Sequence, residues 1–600
     1  MNLTILKGDN GMKKNLAWLI LFAMIVLLFT GCGGKVADNG TGTDKEAAAT
    51  DNSITSTDNA SDAAEAPAAE DTGPYNYAAG KYDVDDRGIP TAKYEYELPI
   101  STTDEVFTYW TSPVLPDQID AANFKDMPYP KGLRDQTGVN IEYLLVDMAS
   151  RAENCSVLVA SDDLADLNSD LPMYFPGTMG YALENDFIVN LYDYKDYFPN
   201  YYYLLWNHED DINVRATLMP EENTIYDFKT LMSDKETAWG GACRGDWLDK
   251  LGMTVDDIVT IDDLHDLLAA FQSQMGAQYP FVLLSSLDAH QYFNCFDTIT
   301  QYSGTVAPQY IKDGKVCFAD SGPNDLAYMT LLNTWFNEGF ISPNWMGWLA
   351  NNGIVSELQT GVVGVASMLA SEAAGYVDNT QYPDAYWTAI HEPVLYEGQV
   401  FHLGDTANWV GYGSWSISSK CENVPLLASY SDWFYSDSGS FFANYGVENY
   451  TFYYDESGKP MLTDFLVKNQ AGLAWAILQF TMDEIFEAGL LIREKSYAYP
   501  GGEKLRAWYD IWDNPDFYKY DGSMAWPSAI QFSTEDTSRL ATIGADIQTY
   551  IVENYPLFVD NSKPLSEWDS YVSELTSMPG WDEALEIYQN AYDAFIARYK

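Results

Sequence analysis

Apolar residues along this chain recur at every second position in some stretches and every third or fourth in others, the mark of strands alternating with helices. Val106-Phe107-Thr108-Tyr109-Trp110 reads as a strand, Leu133–Gly138 as the end of a helix, and Val139–Val146 as a second strand. Ser156–Ser161 continues a helix and Asp162–Leu167 leads into the next strand, so the rhythm predicts a parallel sheet. Thr260 before Ile261–Phe271 is a cap followed by helical spacing. The chain closes on two helices around Met578-Pro579-Gly580, with Trp568, Val572 and Leu575 on one face and Ala584, Ile587, Tyr588, Ala591 and Phe595 on the next.

Two early segments break the rhythm. Leu16–Phe29 is uniformly apolar behind Met12-Lys13-Lys14, and it is shorter than the roughly 20 residues a spanning helix needs, so it reads as a signal peptide over residues 1–31. Its end, Leu28-Phe29-Thr30-Gly31-Cys32, resembles the bacterial lipobox, which makes Cys32 the expected lipid attachment point. Residues 32–80 hold Gly, Ala, Ser, Thr, Asp and Glu with almost no large apolar side chain. Such a segment cannot offset its ordering entropy and reads as an acidic tether spanning roughly 35–40 Å.

The 600 residues correspond to roughly two to four compact units. Against 32 Lys+Arg stand 88 Asp+Glu, a formal charge of -56, and that field repels a phosphate backbone, so nucleic-acid partners are excluded. The 44 Tyr, 27 Phe and 18 Trp supply rings with polar edges that suit wet binding surfaces as well as cores. Cys155, Cys243, Cys295, Cys317 and Cys421 are widely spaced, which excludes a dense disulfide framework and leaves one or two bridges open. The five His residues lack metal-ligand spacing, no P-loop or nucleophile elbow occurs, and Asp83–Gly88 starts like a calcium loop whose twelfth place is Tyr94. No metal and no cofactor is expected.

Several stretches occur in the order of a known family. Leu158-Val159-Ala160-Ser161-Asp162-Asp163-Leu164-Ala165-Asp166, Tyr197-Phe198-Pro199-Asn200-Tyr201 and Arg244–Gly252 are followed by Asp313-Gly314-Lys315-Val316, Trp335–Pro343 and Ser438–Glu448. Together they resemble the family 1 extracellular solute-binding lipoproteins, the carbohydrate-capturing subunits of ABC importers, in their long Gram-positive form. The departures are Asp162 and Ala165 for Gly and Pro, and Asn449 for Gly.

The resemblance implies an α/β, two-lobed periplasmic-binding-protein-like fold of type II, with discontinuous lobes joined by hinge crossings. Residues 81–238 with about 410–470 are expected in lobe 1, and 239–409 with about 471–600 in lobe 2. The crossings are expected near Tyr226–Gly240 and His402–Trp409. The implied function is a lipid-anchored, monomeric receptor on the outer face of the cytoplasmic membrane, which captures an oligosaccharide between its lobes and passes it to permease subunits, with no catalysis. An oligopeptide-binding lipoprotein and a surface glycoside hydrolase are the alternatives, and an adhesion protein is a third.

A pyranose presents an apolar C–H face and a belt of hydroxyls, so its site needs aromatic platforms and planar polar groups. Trp110 at the end of the first strand, Trp239 and Trp409 in the crossings, and Trp526 before the last helices are candidate platforms. Ser371 and Glu372 follow a strand, where open α/β sheets present ligands. Arg244 is a candidate ligand contact or, equally, half of an ion pair at a helix start.

Overall fold

The structure is a computed structural model that describes residues 73–208, 212–234, 237, 239–283, 292–298, 309–351, 354–377, 380–404 and 409–599. The expected signal peptide, Cys32 and the tether up to residue 72 lie outside the described residues, whereas residues 73–80, expected in the tether, are packed on lobe 1: Ala78 is fully buried in its core and Tyr75 stacks on Tyr77 at 5.1 Å. Residues 72–600 form one compact unit.

In chain order, β1 (Val106–Thr111), β2 (Asn140–Leu145), β3 (Leu167–Ser169) and β4 (Phe228–Met232) begin a first lobe. A second lobe starts with β5 (Trp239–Arg244), the hairpin β6 (Gln309–Lys312) and β7 (Lys315–Phe318), then β8 (Val365–Leu369) and β9 (Trp387–Ala389). β10 (Val410–Ile417), the hairpin β11 (Phe452–Tyr454) and β12 (Pro460–Leu462), and β13 (Leu490–Leu491) return to the first.

The lobe 1 sheet has the order β13-β4-β10-β3-β1-β2. β1 is parallel to β2 and β3, as the alternating pattern requires, while β10 runs antiparallel between β3 and β4. Phe107, Tyr109, Phe228, Trp415 and Ile417 enter one core and Trp110 the core on the opposite face, because side chains on a strand point alternately to its two faces. The helix Pro128–Thr137 stops at Gly138, whose left-handed φ of 70° and a Cβ position 1.8 Å from the Ser101 carbonyl oxygen admit only glycine.

Lobe 2 centres on β5, flanked by β8 and β9, and its core gathers Leu264, Leu268, Phe271, Phe281 and Trp335. The helix Ile261–Ala270 begins in a capping box: Asp263 Oδ2 accepts from the Thr260 amide at 2.8 Å and the Asp263 amide donates to Thr260 Oγ1 at 3.2 Å.

The chain passes between the lobes three times, after β4, before β10 and after β13. The third passage was not expected from the sequence, and it moves a boundary. Residues 471–491 stay in lobe 1, since β13 pairs with β4 and the Leu115 amide donates to Gln479 Oε1 at 2.7 Å. Tyr497 is the first side chain of this stretch to pack against lobe 2, and the helix Glu503–Trp512 follows it there, where Trp512 Nε1 donates to the Gly241 carbonyl at 2.9 Å. All three passages leave the same end of three adjacent strands of the lobe 1 sheet, β13, β4 and β10, which is therefore the hinge edge.

Candidate functional site

At the hinge edge a cavity of about 580 Å³ opens between the turn 85–91, the end of the helix Pro199–Asn207, and Trp409. That volume falls in the range of small-molecule sites. Phe198-Pro199 starts the helix, and Asp432 fixes it by accepting from the Asn200 and Tyr201 amides at 3.0 and 2.7 Å, which brings Trp206 and His208 to the rim. The turn is held by Asp85, whose Oδ1 accepts from the Arg87 and Ile89 amides at 2.9 Å while Oδ2 pairs with Arg87 Nε at 3.0 Å. The Ile89 amide, with Arg87, keeps the Asp85 carboxyl below its ordinary pKa.

Inside, the Arg87 guanidinium lies 5.3 Å from the centre of the Trp206 ring, and His208 stacks on Trp409 at 4.1 Å. Rings that can cover a sugar's C–H face thus stand beside Asp85, Arg87 and Asn207, which can satisfy its hydroxyls.

A charged floor lies beside the same edge. Arg151 is fully buried; Nη1 donates to Ser112 Oγ at 2.9 Å, and Nη2 to Ser169 O and Oγ at 2.6 and 2.9 Å. Trp110, Tyr174 and Phe486 surround its guanidinium at 4.1, 4.6 and 4.5 Å. Gly413 on β10 lets the segment carrying Asp483 and Glu487 lie against the strand, since a Cβ there would sit 2.1 Å from the Glu487 carbonyl oxygen. Burial pushes Asp170 and Asp483 up to about 7, and burial with the neighbouring Asp483 pushes Glu487 up to about 8.

These carboxyls hold protons in the native state that the unfolded chain releases from about pH 4 upward. Their linkage therefore makes stability fall as pH rises from about 4 to 8. Denaturant unfolding at pH 5.5 and 8.0 is expected to give the higher midpoint at pH 5.5, and Glu487→Gln is expected to flatten the difference. A higher midpoint at pH 8.0 would contradict this assignment of protons.

Lobe 2 borders the hinge with a second polar and aromatic group. Tyr518 and Tyr520 stack at 6.0 Å, both half-buried, and His402 Nδ1 meets Asp521 at 3.0 Å. That contact raises the His402 pKa. Asn294 Nδ2 donates to Glu392 Oε1 at 2.6 Å, and burial pushes this carboxyl up to about 8.

The expected site residues separate into three groups. Trp409 lines the cavity. Trp239 opens β5 opposite Leu369, and Ser371 and Glu372 lie in the turn Ala370–Tyr376 just beyond, so these three share the hinge end of the lobe 2 sheet; their side chains are outside the described residues.

The other three are engaged elsewhere. Trp110 is 2% exposed, covered by Arg151, with Nε1 donating to Asn154 Oδ1 at 2.7 Å. Arg244 forms the ion pair, with Nε and Nη2 on Asp246 at 2.7 and 3.0 Å. Trp526 packs among Phe532, Tyr588 and Tyr592.

The sequence reading did not find Trp206, His208, Arg87, Tyr518 or Tyr520. The first two follow the Tyr197–Tyr201 stretch by only a few residues, which was a usable signal. All five described cysteines are free thiols, and among the described residues no helix is long and apolar enough to cross a membrane.

The sequence matches no family model and no curated protein. Among solved structures, the chain is similar to an alginate-binding protein crystallised without calcium ion, at 20% identity and a TM-score of 0.54, over 82% of this chain and 99% of that one. It is also similar to an HMO-binding, ABC-transporter-associated solute-binding protein from Bifidobacterium longum infantis ATCC 15697, at 18% identity and a TM-score of 0.60, over 82% of this chain and 99% of that one. A third is an extracellular solute-binding protein from Bifidobacterium longum subsp. infantis, at 19% identity and 0.61, over 82% and 98%. At these identities the likeness establishes the two-lobed solute-binding fold.

Proposed function

We propose that this chain is the substrate-binding subunit of an ABC importer, capturing an oligosaccharide at the hinge edge and delivering it intact to permease subunits. The observation that carries this reading is the aromatic and polar cavity around Trp409 at the hinge of a two-lobed fold. The neighbours named for alginate and HMO binding support the sugar class. The ordered motifs support placement among the family 1 lipoproteins, and the lipobox-like stretch ending in Cys32 supports anchoring to the outer face of the membrane. The cavity lining belongs to lobe 1, and a ligand seated there that also reaches lobe 2 draws an open ensemble toward a closed one. The receptor carries no catalysis.

Thermal unfolding of residues 73–600 against plant and host oligosaccharides and against peptides tests the reading, because a ligand that binds only the native state must stabilise it. A shift with an oligosaccharide recovered uncleaved is expected. Shifts with peptides alone, or recovery of cleaved sugar, would replace this reading with a peptide receptor or a glycosidase.

A further inference from the structure

Away from the three chain passages, one contact between the lobes among the described residues runs through a short helix, Ile212–Leu218. Val214 and Leu218 belong to the lobe 1 core. Ala216 and Ile212, on another face, join a cluster with Ile530 and Phe595, and Phe595 belongs to the last helix, Trp581–Tyr599. Spacings of four residues put each pair on its own side, so the helix is apolar towards both bodies. Polar contacts fasten its exit: Tyr599 Oη donates to the Met219 carbonyl at 3.3 Å, and the Arg598 guanidinium donates to the Pro220 carbonyl.

Arg215 stands between this contact and the cavity. Its guanidinium lies 5.6 Å from the centre of the Trp206 ring and 5.8 Å from that of Tyr599, and Trp206 is a wall of the cavity. One cation therefore faces a ring of the pocket in lobe 1 and a ring at the end of lobe 2.

We infer that the helix Ile212–Leu218 is a clip between the lobes and that Arg215 is its positioning residue, transmitting the position of Trp206 to Tyr599. Filling the cavity fixes Trp206, which holds Arg215 against Tyr599 and tightens the clip; an empty cavity leaves it looser. The coupling half of this inference rests on the reading of the cavity as the ligand site, whereas the clip itself does not.

Hydrogen exchange on residues 73–600 separates the two. Without sugar, Arg215→Ala is expected to speed exchange over 212–220 and 592–599 by about tenfold, the size of one partly buried cation–π contact. Exchange in the lobe 1 helix Val424–Trp433 is expected to stay unchanged, and Arg215→Lys, which keeps the cation, is expected to restore most of the protection. Unchanged exchange in Arg215→Ala, or equal loosening of Val424–Trp433, would overturn the clip.

With the oligosaccharide giving the largest thermal shift, the wild type is expected to gain protection at 592–599 and Arg215→Ala to bind without that gain. An equal gain in both would overturn the coupling. If no sugar in the panel binds the wild type, the proposed function fails together with the coupling, and the sugar-free comparison still decides the clip.

Discussion

Arg151→Met is expected to lower the stability of lobe 1 by about 3–5 kcal/mol, the summed cost of leaving three buried acceptors without their charged donor. The guanidinium ties the ends of β1 and β3 through Ser112 and Ser169 and fills the space among three aromatic rings. Methionine keeps much of the volume but leaves the Ser169 carbonyl and two hydroxyls without their donor, and it removes the cation nearest Asp170 and Asp483. Lysine should rescue little, because one ammonium cannot reproduce the planar fork that reaches both serines while stacking on Trp110. Chemical unfolding followed by tryptophan fluorescence checks this. A loss below about 1 kcal/mol, the size expected of a surface pair, would mean that the network does not support the strand ends.

Trp409→Ala is expected to weaken oligosaccharide binding by about 30-fold, the effect of removing a central aromatic anchor worth about 2 kcal/mol. Trp409 both lines the cavity and carries the stacked His208, so its loss removes a platform and frees the neighbouring imidazole. Trp409→Phe keeps a flat ring and should lose less than tenfold. Calorimetric titration of the sugar giving the largest thermal shift measures both. Unchanged affinity in Trp409→Ala would move the binding surface towards Tyr518 and Tyr520 on lobe 2.

Local chemistry made the fold readable where a short pattern was sufficient. Thr260 and Asp263 announce a helix start on their own, and the alternation in Val106–Trp110 marks a strand whatever its neighbours are. β13 has two residues, too few for a period, and its place is set by pairing with β4, far away in sequence. The third passage and the true end of lobe 1 were hidden for that reason.

The site divides along the same line. Trp409 was legible because a ring just before a first-lobe strand falls at the hinge edge. Trp110 also stands at a strand end, but whether its face is open depends on Arg151, which comes from another element. Arg215, Trp206 and Tyr599 meet only in three dimensions, with Tyr599 at the far end of the chain, so no spacing could link them.

Small-angle scattering from residues 73–600, with and without the oligosaccharide that gives the largest thermal shift, tests the central claim most directly when the bound sugar is recovered and sized afterwards. Two lobes closing on captured cargo predict a smaller radius of gyration on binding and a sugar recovered at its original length. An unchanged radius with shortened sugar would contradict the account and make this chain a hydrolase on a solute-binding fold.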